Sequence, residues 1–456
     1  MRVLKYGLFL LFALFLVVAS YLAIEFPPIL AGMASKTMCS CVYVMGRTPE
    51  SVIEKELSVF PGLNRAKFEF IDSTVVKATF GLKTRTSIFR KGLGCTLLAE
   101  KTEGEVRRQT PALPGPPPFD ADTVKWPLGN ITPDSVPAGV NRAAIDAAIA
   151  EGFEETDPEK PKNTLAIVVV YDGQIVGERY ADGITRDSPL MGWSMTKSFT
   201  NALIGRLIGE GKLKLEDPAP IDAWQQDDRK NITLNHLMQA SSGLEWDESY
   251  FAPGHFHNMF MHSDDKAGYA ASQKLKYPIG THWEYSSGTS NILSKIIRQT
   301  VGDDNYPRYA YENFFYKVGM YHTLVEPDAS GTFVGSSYGY ASARDWARFG
   351  LLFLNDGTVN GERILPEGWS TYSSTPAPAA PKGEYGAQFW LNAGEKGNPQ
   401  NCYHPGLPND EYGAEGFEQQ NVFIIPSKKL VLVRLGISHH GFDITGLTQK
   451  VMAALP

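Results

Sequence analysis

Ser194 and Lys197 stand three residues apart in "GWSMTKSFTNALIGRLIGEGKL" (Gly192 to Leu213), where an apolar helical pattern begins. Residues at i and i+3 share a helix face, so the Lys197 amine can point at the Ser194 hydroxyl. The helix N-terminus adds unpaired backbone N–H groups and a partial positive charge beside that hydroxyl. A neutral lysine, favoured by burial, can take the serine proton, and so can a tyrosinate beside a charged lysine. Such a pair makes a nucleophile without histidine. Phe199, Ala202, Leu203, Leu207 and Ile208 follow at helical spacing, which predicts a buried helix. A second Ser-x-x-Lys, Ser263 to Lys266, lies among charges with no apolar helix behind it and reads as solvated loop.

Two further stretches belong with the first. Tyr285 sits in "THWEYSSGTSNILS" (281 to 294), in a turn before another predicted helix, and Gly416 sits in "YGAEGFEQQNVFII" (412 to 425), before a predicted strand. A Ser-x-x-Lys helix, a Tyr-x-Ser turn and a glycine-bearing strand, in that order, resemble the serine β-lactamase and penicillin-binding family. The similar branch is the class C-related one of esterases, D-amino peptidases and 6-aminohexanoate-dimer hydrolase. The resemblance covers roughly residues 135 to 456, with "ITLNHLMQASSGLEW" and "YGYASARDWARFGLLFLNDGTVNGERIL" as framework stretches expected to pack rather than react.

The resemblance implies Ser194 as nucleophile, Lys197 as its activating neighbour and Tyr285 as the proton shuttle to the leaving group. It implies an oxyanion held by the backbone N–H groups of Ser194 and Phe417, with Ser287 and Gly416 meeting the substrate. One such donor in a dry site lowers a barrier by roughly 3 kcal/mol. The chain also departs from the family pattern. Ser287 stands where the second motif usually has Asn and offers no amide donor. Ala414-Glu415-Gly416 replaces the usual Lys or His, small residue and Gly, so the cation that would grip a β-lactam or peptide carboxylate is missing. If Glu415 points inward it repels such a group. Gln420 matches a Gly-Gln pair of the aminohexanoate-hydrolase branch, although Gln419 replaces its glycine.

Several elements must position these groups. "TPALPGPPPFD" (Thr110 to Asp120) carries five prolines and cannot join a helix or central strand. It divides a small β-rich region (27–109), where "CSCVYVMG" and "VVKATFG" read as short strands, from one long domain (121–456). That domain opens with a helix near "NRAAIDAAIAEGF" and a hairpin around Asp172-Gly173. It closes with two apolar runs around Pro426-Ser427 and a final helix after Asp443. Strands at both ends with helices between predict an α/β fold of the α+β type: a β-lactamase-like antiparallel sheet flanked by helices, plus a helical subdomain.

The first 26 residues differ from the rest. Arg2 and Lys5 precede an uncharged, mostly apolar run from Gly7 to Ile24. As a helix it spans roughly 27 Å, close to a hydrocarbon core. The positive flank stays in the cytoplasm, so the run reads as a transmembrane signal-anchor holding the catalytic domain on the extracytoplasmic, periplasmic side. Secretion after signal cleavage is the rival reading. In such a compartment Cys95 can bridge to Cys39 or to Cys41, while Cys402 stands apart.

The totals narrow the partners. The formal charge is −7, from 43 basic and 50 acidic residues, and no Lys/Arg block tracks phosphate, so nucleic acid is not an expected partner. "GSSYG" (Gly335 to Gly339) fits a nucleophile elbow around Ser337, but neither the strand nor the helix that an elbow needs flanks it, and it reads as a turn. His255, His257 and His262 lack a trusted metal spacing and read as packing, and His439 and His440 fall at a strand end. The expectation is a serine hydrolase of esters or small amides, without cofactor or metal. Two other readings use the same residues: a penicillin-binding-like sensor that acylates without turnover, and a structural envelope protein with a silent site.

Overall fold

In the computed structural model, residues 2–60, 62–115, 117 and 119–456 are described, residues 2–5 and 7–23 by their backbone alone. The chain forms two units, Met1–Arg107 with Asp247–Asp264, and Arg108–Trp246 with Asp265–Pro456. The boundary after Arg107 falls just before the proline-rich stretch. The second segment of the first unit, Asp247–Asp264, departs from a division read along the chain.

In the first unit, helix α1 (Arg2–Tyr43) packs on a four-stranded antiparallel meander, β1 (Lys67–Ile71), β2 (Val75–Phe80), β3 (Lys83–Arg90) and β4 (Gly94–Leu98). The stretch "CSCVY", expected within a strand, belongs to this helix. The reason lies in its upstream neighbours: Ala31, Ala34, Ser35 and Met38 are buried at helical spacing, and Cys39 and Cys41 continue into the same interior. A disulfide joins Cys39 to Cys95 on β4. The segment Asp247–Asp264 holds the three histidines. His257 is buried, and His262 Nδ1 lies 3.4 Å from an Arg85 nitrogen. Asp264 accepts N–H bonds from Ala99 and Glu100, at 2.9 and 3.0 Å, and from Lys101. Among the described residues no helix is long and apolar enough to cross a membrane. The run that carries the anchor expectation lies, except for Ile24, outside the residues whose side chains are described.

The second unit is built on one antiparallel sheet. In chain order its strands are β5 (Thr164–Tyr171), β6 (Gln174–Tyr180), β12 (Trp390–Leu391), β13 (Tyr412–Gly416), β14 (Gln420–Ile425) and β15 (Leu430–Gly436). A three-stranded patch is made of β7 (Leu190–Met191), β8 (Thr323–Val325) and β9 (Gly339–Ala341), and a small hairpin of β10 (Thr358–Val359) and β11 (Glu362–Arg363). The sheet order is β12-β13-β14-β15-β5-β6, so strands from the two ends of the unit pair at its centre, Val169 opposite Leu432. The Asp172-Gly173 hairpin forms as expected, both residues adopting the positive φ that such a tight turn requires.

Helices cover both faces. On one lie α2 (Arg142–Phe153) and α6 (Ile444–Ala453), whose Ile145, Ile149, Leu447 and Val451 pack with Ile167, Val169, Phe423 and Leu432. On the other lies α5 (Ala343–Leu354), with α3 (Thr196–Gly209) reaching β13 and α4 (Ser287–Val301) packed against α3. Gly350 of α5 sits so close to Val431 of the sheet that a Cβ there would lie 2.5 Å from a methyl group. The framework stretch at the start of α5 works through buried ion pairs. Arg344 donates to Glu178 at 2.9 Å and Arg348 to Asp345 at 2.8 Å, and Asp345 also accepts from His322 N–H and the Thr323 hydroxyl. Phe199, 1% exposed, stacks on Trp346 at 4.3 Å and meets Phe315 and Phe349 edge-on. Replacing Phe199 by Ala is expected to cost about 3–5 kcal/mol of unfolding free energy, read as a lowered midpoint in urea.

Candidate active site

Ser194 lies on a 3-10 turn, Trp193–Met195, that runs directly into α3. Trp193 enters that turn at φ 47°, a region few L residues occupy, and the turn is tied to β9. Gly192 N–H donates to Gly339 C=O at 2.8 Å, Gly339 N–H to the Thr196 hydroxyl at 2.8 Å, and that hydroxyl to Trp193 C=O at 2.6 Å. The result presents a half-buried serine above a buried helix.

Lys197 is 2% exposed, and its Nζ lies 3.1 Å from Ser194 Oγ, 3.1 Å from Ser287 Oγ and 3.0 Å from Ser336 C=O. An ammonium fills all three contacts as donor. The neutral amine has two N–H groups, and a carbonyl can only accept, so its lone pair faces a hydroxyl. The Ser194 O–H pointing at that lone pair is the arrangement that removes the serine proton.

Tyr285 sits at the end of the loop before α4, whose first turn Ser286 caps by accepting from Thr289 N–H. The Tyr285 ring centroid is 4.7 Å from Lys197 Nζ. Its far side stacks on Trp390 of β12, at 5.1 Å and 29°, and Trp390 in turn stacks on Tyr403, at 5.2 Å and 11°. Ser287, expected on the substrate side, is 1% exposed and holds the lysine amine instead.

Gly416 ends β13 against the serine turn. A Cβ on it would lie 2.2 Å from the Gly192 carbonyl oxygen, a backbone atom that cannot yield. Space rather than conformation demands glycine here. The next residue, Phe417, sets its ring edge-on to Trp193 at 5.7 Å, so the strand end and the serine turn are in register. Alternation along β13 turns Glu415 to the opposite face from Gly416, where its carboxylate meets His404 Nε2 at 3.1 Å.

The Beta-lactamase family profile matches residues 150–443. The chain belongs to the Beta-lactamase family. It is 23% identical over 308 residues to the 6-aminohexanoate-dimer hydrolase of Paenarthrobacter ureafaciens, covering 60% of this chain and 72% of that one. A penicillin-binding protein homologue from Caulobacter crescentus superposes with a TM-score of 0.52 at 16% identity, over 72% of this chain and 99% of the other. A family VIII carboxylesterase does so with a TM-score of 0.51 at 15% identity, over 71% and 98%. These superpositions share the fold.

Beyond Phe417 the chain of this Beta-lactamase family member makes a turn in left-handed backbone. Gln419, expected to replace a glycine, takes φ 63°, beside Glu418 at φ 62°. The Gln420 side chain braces this turn, its Nε2 donating to the carbonyls of Phe417 at 3.2 Å and Glu418 at 3.3 Å. One contributor escaped the sequence reading. Ser336 acts through its backbone carbonyl, which no residue type announces, although "GSSYG" marked the stretch. Ser337, the elbow alternative, is buried, and its hydroxyl lies 3.0 Å from that of Ser336. The second Ser-x-x-Lys is no solvated loop: Lys266 opens a helix, is buried, and its N–H donates to Asp328 at 3.0 Å. Its N–H serves the fold, because a buried carboxylate needs donors.

Proposed function

We propose that this serine hydrolase cleaves an ester or a small amide through an acyl-enzyme on Ser194. One observation carries the reading: a buried lysine amine 3.1 Å from the Ser194 hydroxyl and 4.7 Å from the Tyr285 ring centroid. Lys197 takes the serine proton as Oγ attacks the carbonyl carbon. The oxyanion is held by the N–H groups of Ser194 and Phe417. Tyr285 passes a proton to the departing alcohol or amine, and water then attacks the ester so formed to free the acid and restore Ser194. Ala414 in place of a cation, and Glu415 turned toward His404, favour substrates without a carboxylate beside the reacting bond. The amide hydrolase and carboxylesterase among the similar proteins lie on either side of that choice.

The proposal extends to location. The apolar run from Gly7 to Ile24 anchors the chain, and the Cys39–Cys95 disulfide supports an oxidising, extracytoplasmic compartment. The test is a comparison on a short acyl ester. Ser194→Ala is expected to lose at least about 10³-fold in kcat, while Ser337→Ala stays within about threefold of wild type. Equal losses, or full turnover by Ser194→Ala, would overturn the assignment.

A further inference from the structure

The turn that carries Phe417 is short and adopts an uncommon conformation. Gly416 pairs with Gln420 across β13 and β14, which leaves Phe417, Glu418 and Gln419 to reverse the chain. Glu418 and Gln419 take φ 62° and 63°. L residues keep such backbone only where the surroundings hold it.

Here the holder is a side chain from another strand. Arg434 of β15 is wholly buried, and its Nη1 donates to the carbonyls of Glu418 at 3.3 Å and Gln419 at 3.0 Å. Its Nη2 reaches the Lys162 carbonyl at 2.7 Å, the Thr164 hydroxyl at 3.0 Å and the Ser438 hydroxyl at 2.6 Å. The guanidinium carbon lies 4.3 Å from the centre of the Phe442 ring. Gly436, two residues on, leaves the room: a Cβ there would stand 2.3 Å from Nη2 and 2.4 Å from Cζ. Withdrawing a guanidinium from water is costly, and no step of the reaction above uses this one. Its rigid fork suits it to hold two successive carbonyls, which a lysine amine does not.

We propose that Arg434 is a positioning residue: by clamping the carbonyls of Glu418 and Gln419 it holds the Phe417 turn, and with it the Phe417 N–H, at the distance from Ser194 that an oxyanion requires. This rests on the acyl-enzyme reading. The consequence is selective. A donor aimed at a developing oxyanion acts on kcat, and it acts on oxygen, because sulfur is a weak acceptor.

The test compares a short acyl ester with its thionoester, C=S in place of C=O, on the full chain. Wild type is expected to favour the oxygen ester by at least about 10²-fold in kcat. Arg434→Lys keeps the charge but not the fork. It is expected to lower kcat on the oxygen ester by about 30-fold, with KM within about twofold and the thionoester rate within about threefold of wild type. Gly436→Ala displaces the same group without deleting it. The three atoms nearest the new methyl all belong to the guanidinium, the end of a flexible side chain, so this variant is expected to fold. Its preference for oxygen is expected to fall by at least about tenfold. A preference that survives in either folded variant overturns the assignment, because a general loosening slows both esters alike. So does a wild type that hydrolyses both at one rate. If Arg434→Lys does not fold, Gly436→Ala decides alone. A wild type that neither turns over the ester nor is labelled on Ser194 by a fluorophosphonate sinks the acyl-enzyme reading itself. A reactive wild type whose variants keep its preference sinks only the role of Arg434.

Discussion

Lys197→Met lowers kcat on a short acyl ester by on the order of 10³-fold, the middle of the range that a positioned general base contributes. Methionine nearly fills the volume of the lysine stem, so the buried helix keeps its packing. What disappears is the only group placed by hydrogen bonding to Ser194 Oγ among the described residues. The Ser336 carbonyl and the Ser287 hydroxyl lose a donor, which costs about 1–3 kcal/mol for each group left unsatisfied, but the desolvation of a buried amine is relieved at the same time. The variant is therefore expected to fold, and steady-state kinetics beside a thermal melt separates the two effects. A variant that retained turnover within tenfold of wild type would remove lysine from the mechanism.

Gly416→Ala is the second large effect, through space alone. The new methyl would stand 2.2 Å from the Gly192 carbonyl oxygen, and Gly192 cannot retreat, because its own Cα faces the Trp346 ring. Strand and serine turn must separate, which moves the Phe417 N–H away from the proposed oxyanion position. Loss of one such donor costs about 10²–10³-fold in kcat. Gly413→Ala is the matching control. Its methyl would press on the Val422 carbonyl at 2.4 Å, so it lowers stability without reaching the Gly192 turn. A Gly416→Ala enzyme with unchanged kcat would show that the strand end does not set the oxyanion site.

How much of this was legible follows from the kind of signal each residue leaves. Ser194 and Lys197 were readable because helix geometry fixes what lies three residues apart. Tyr285 and Gly416 were readable only in combination, through their order along the chain. The face of Glu415 could have been taken from strand alternation, since Gly416 beside it had to meet the serine turn. Ser336 and Arg434 left no comparable mark, because one acts through a backbone carbonyl and the other through burial beneath a distant turn. The stretch "CSCVY" is helical and not a strand because the buried helical spacing of Ala31, Ala34, Ser35 and Met38 runs on into it. Asp247–Asp264 joins the first unit through contacts remote in sequence, such as those of Asp264 with Ala99 and Glu100, which no local pattern encodes.

The pairing of Thr164–Tyr171 with Leu430–Gly436 bears on how this enzyme comes into being. A ribosome delivers the nucleophile's coil long before the ribbon that completes the central layer, and the last ribbon also brings the guanidinium that steadies the reactive loop. Contacts so far apart in the chain close late and slowly. Catalytic competence therefore waits until the Leu430–Gly436 ribbon has paired.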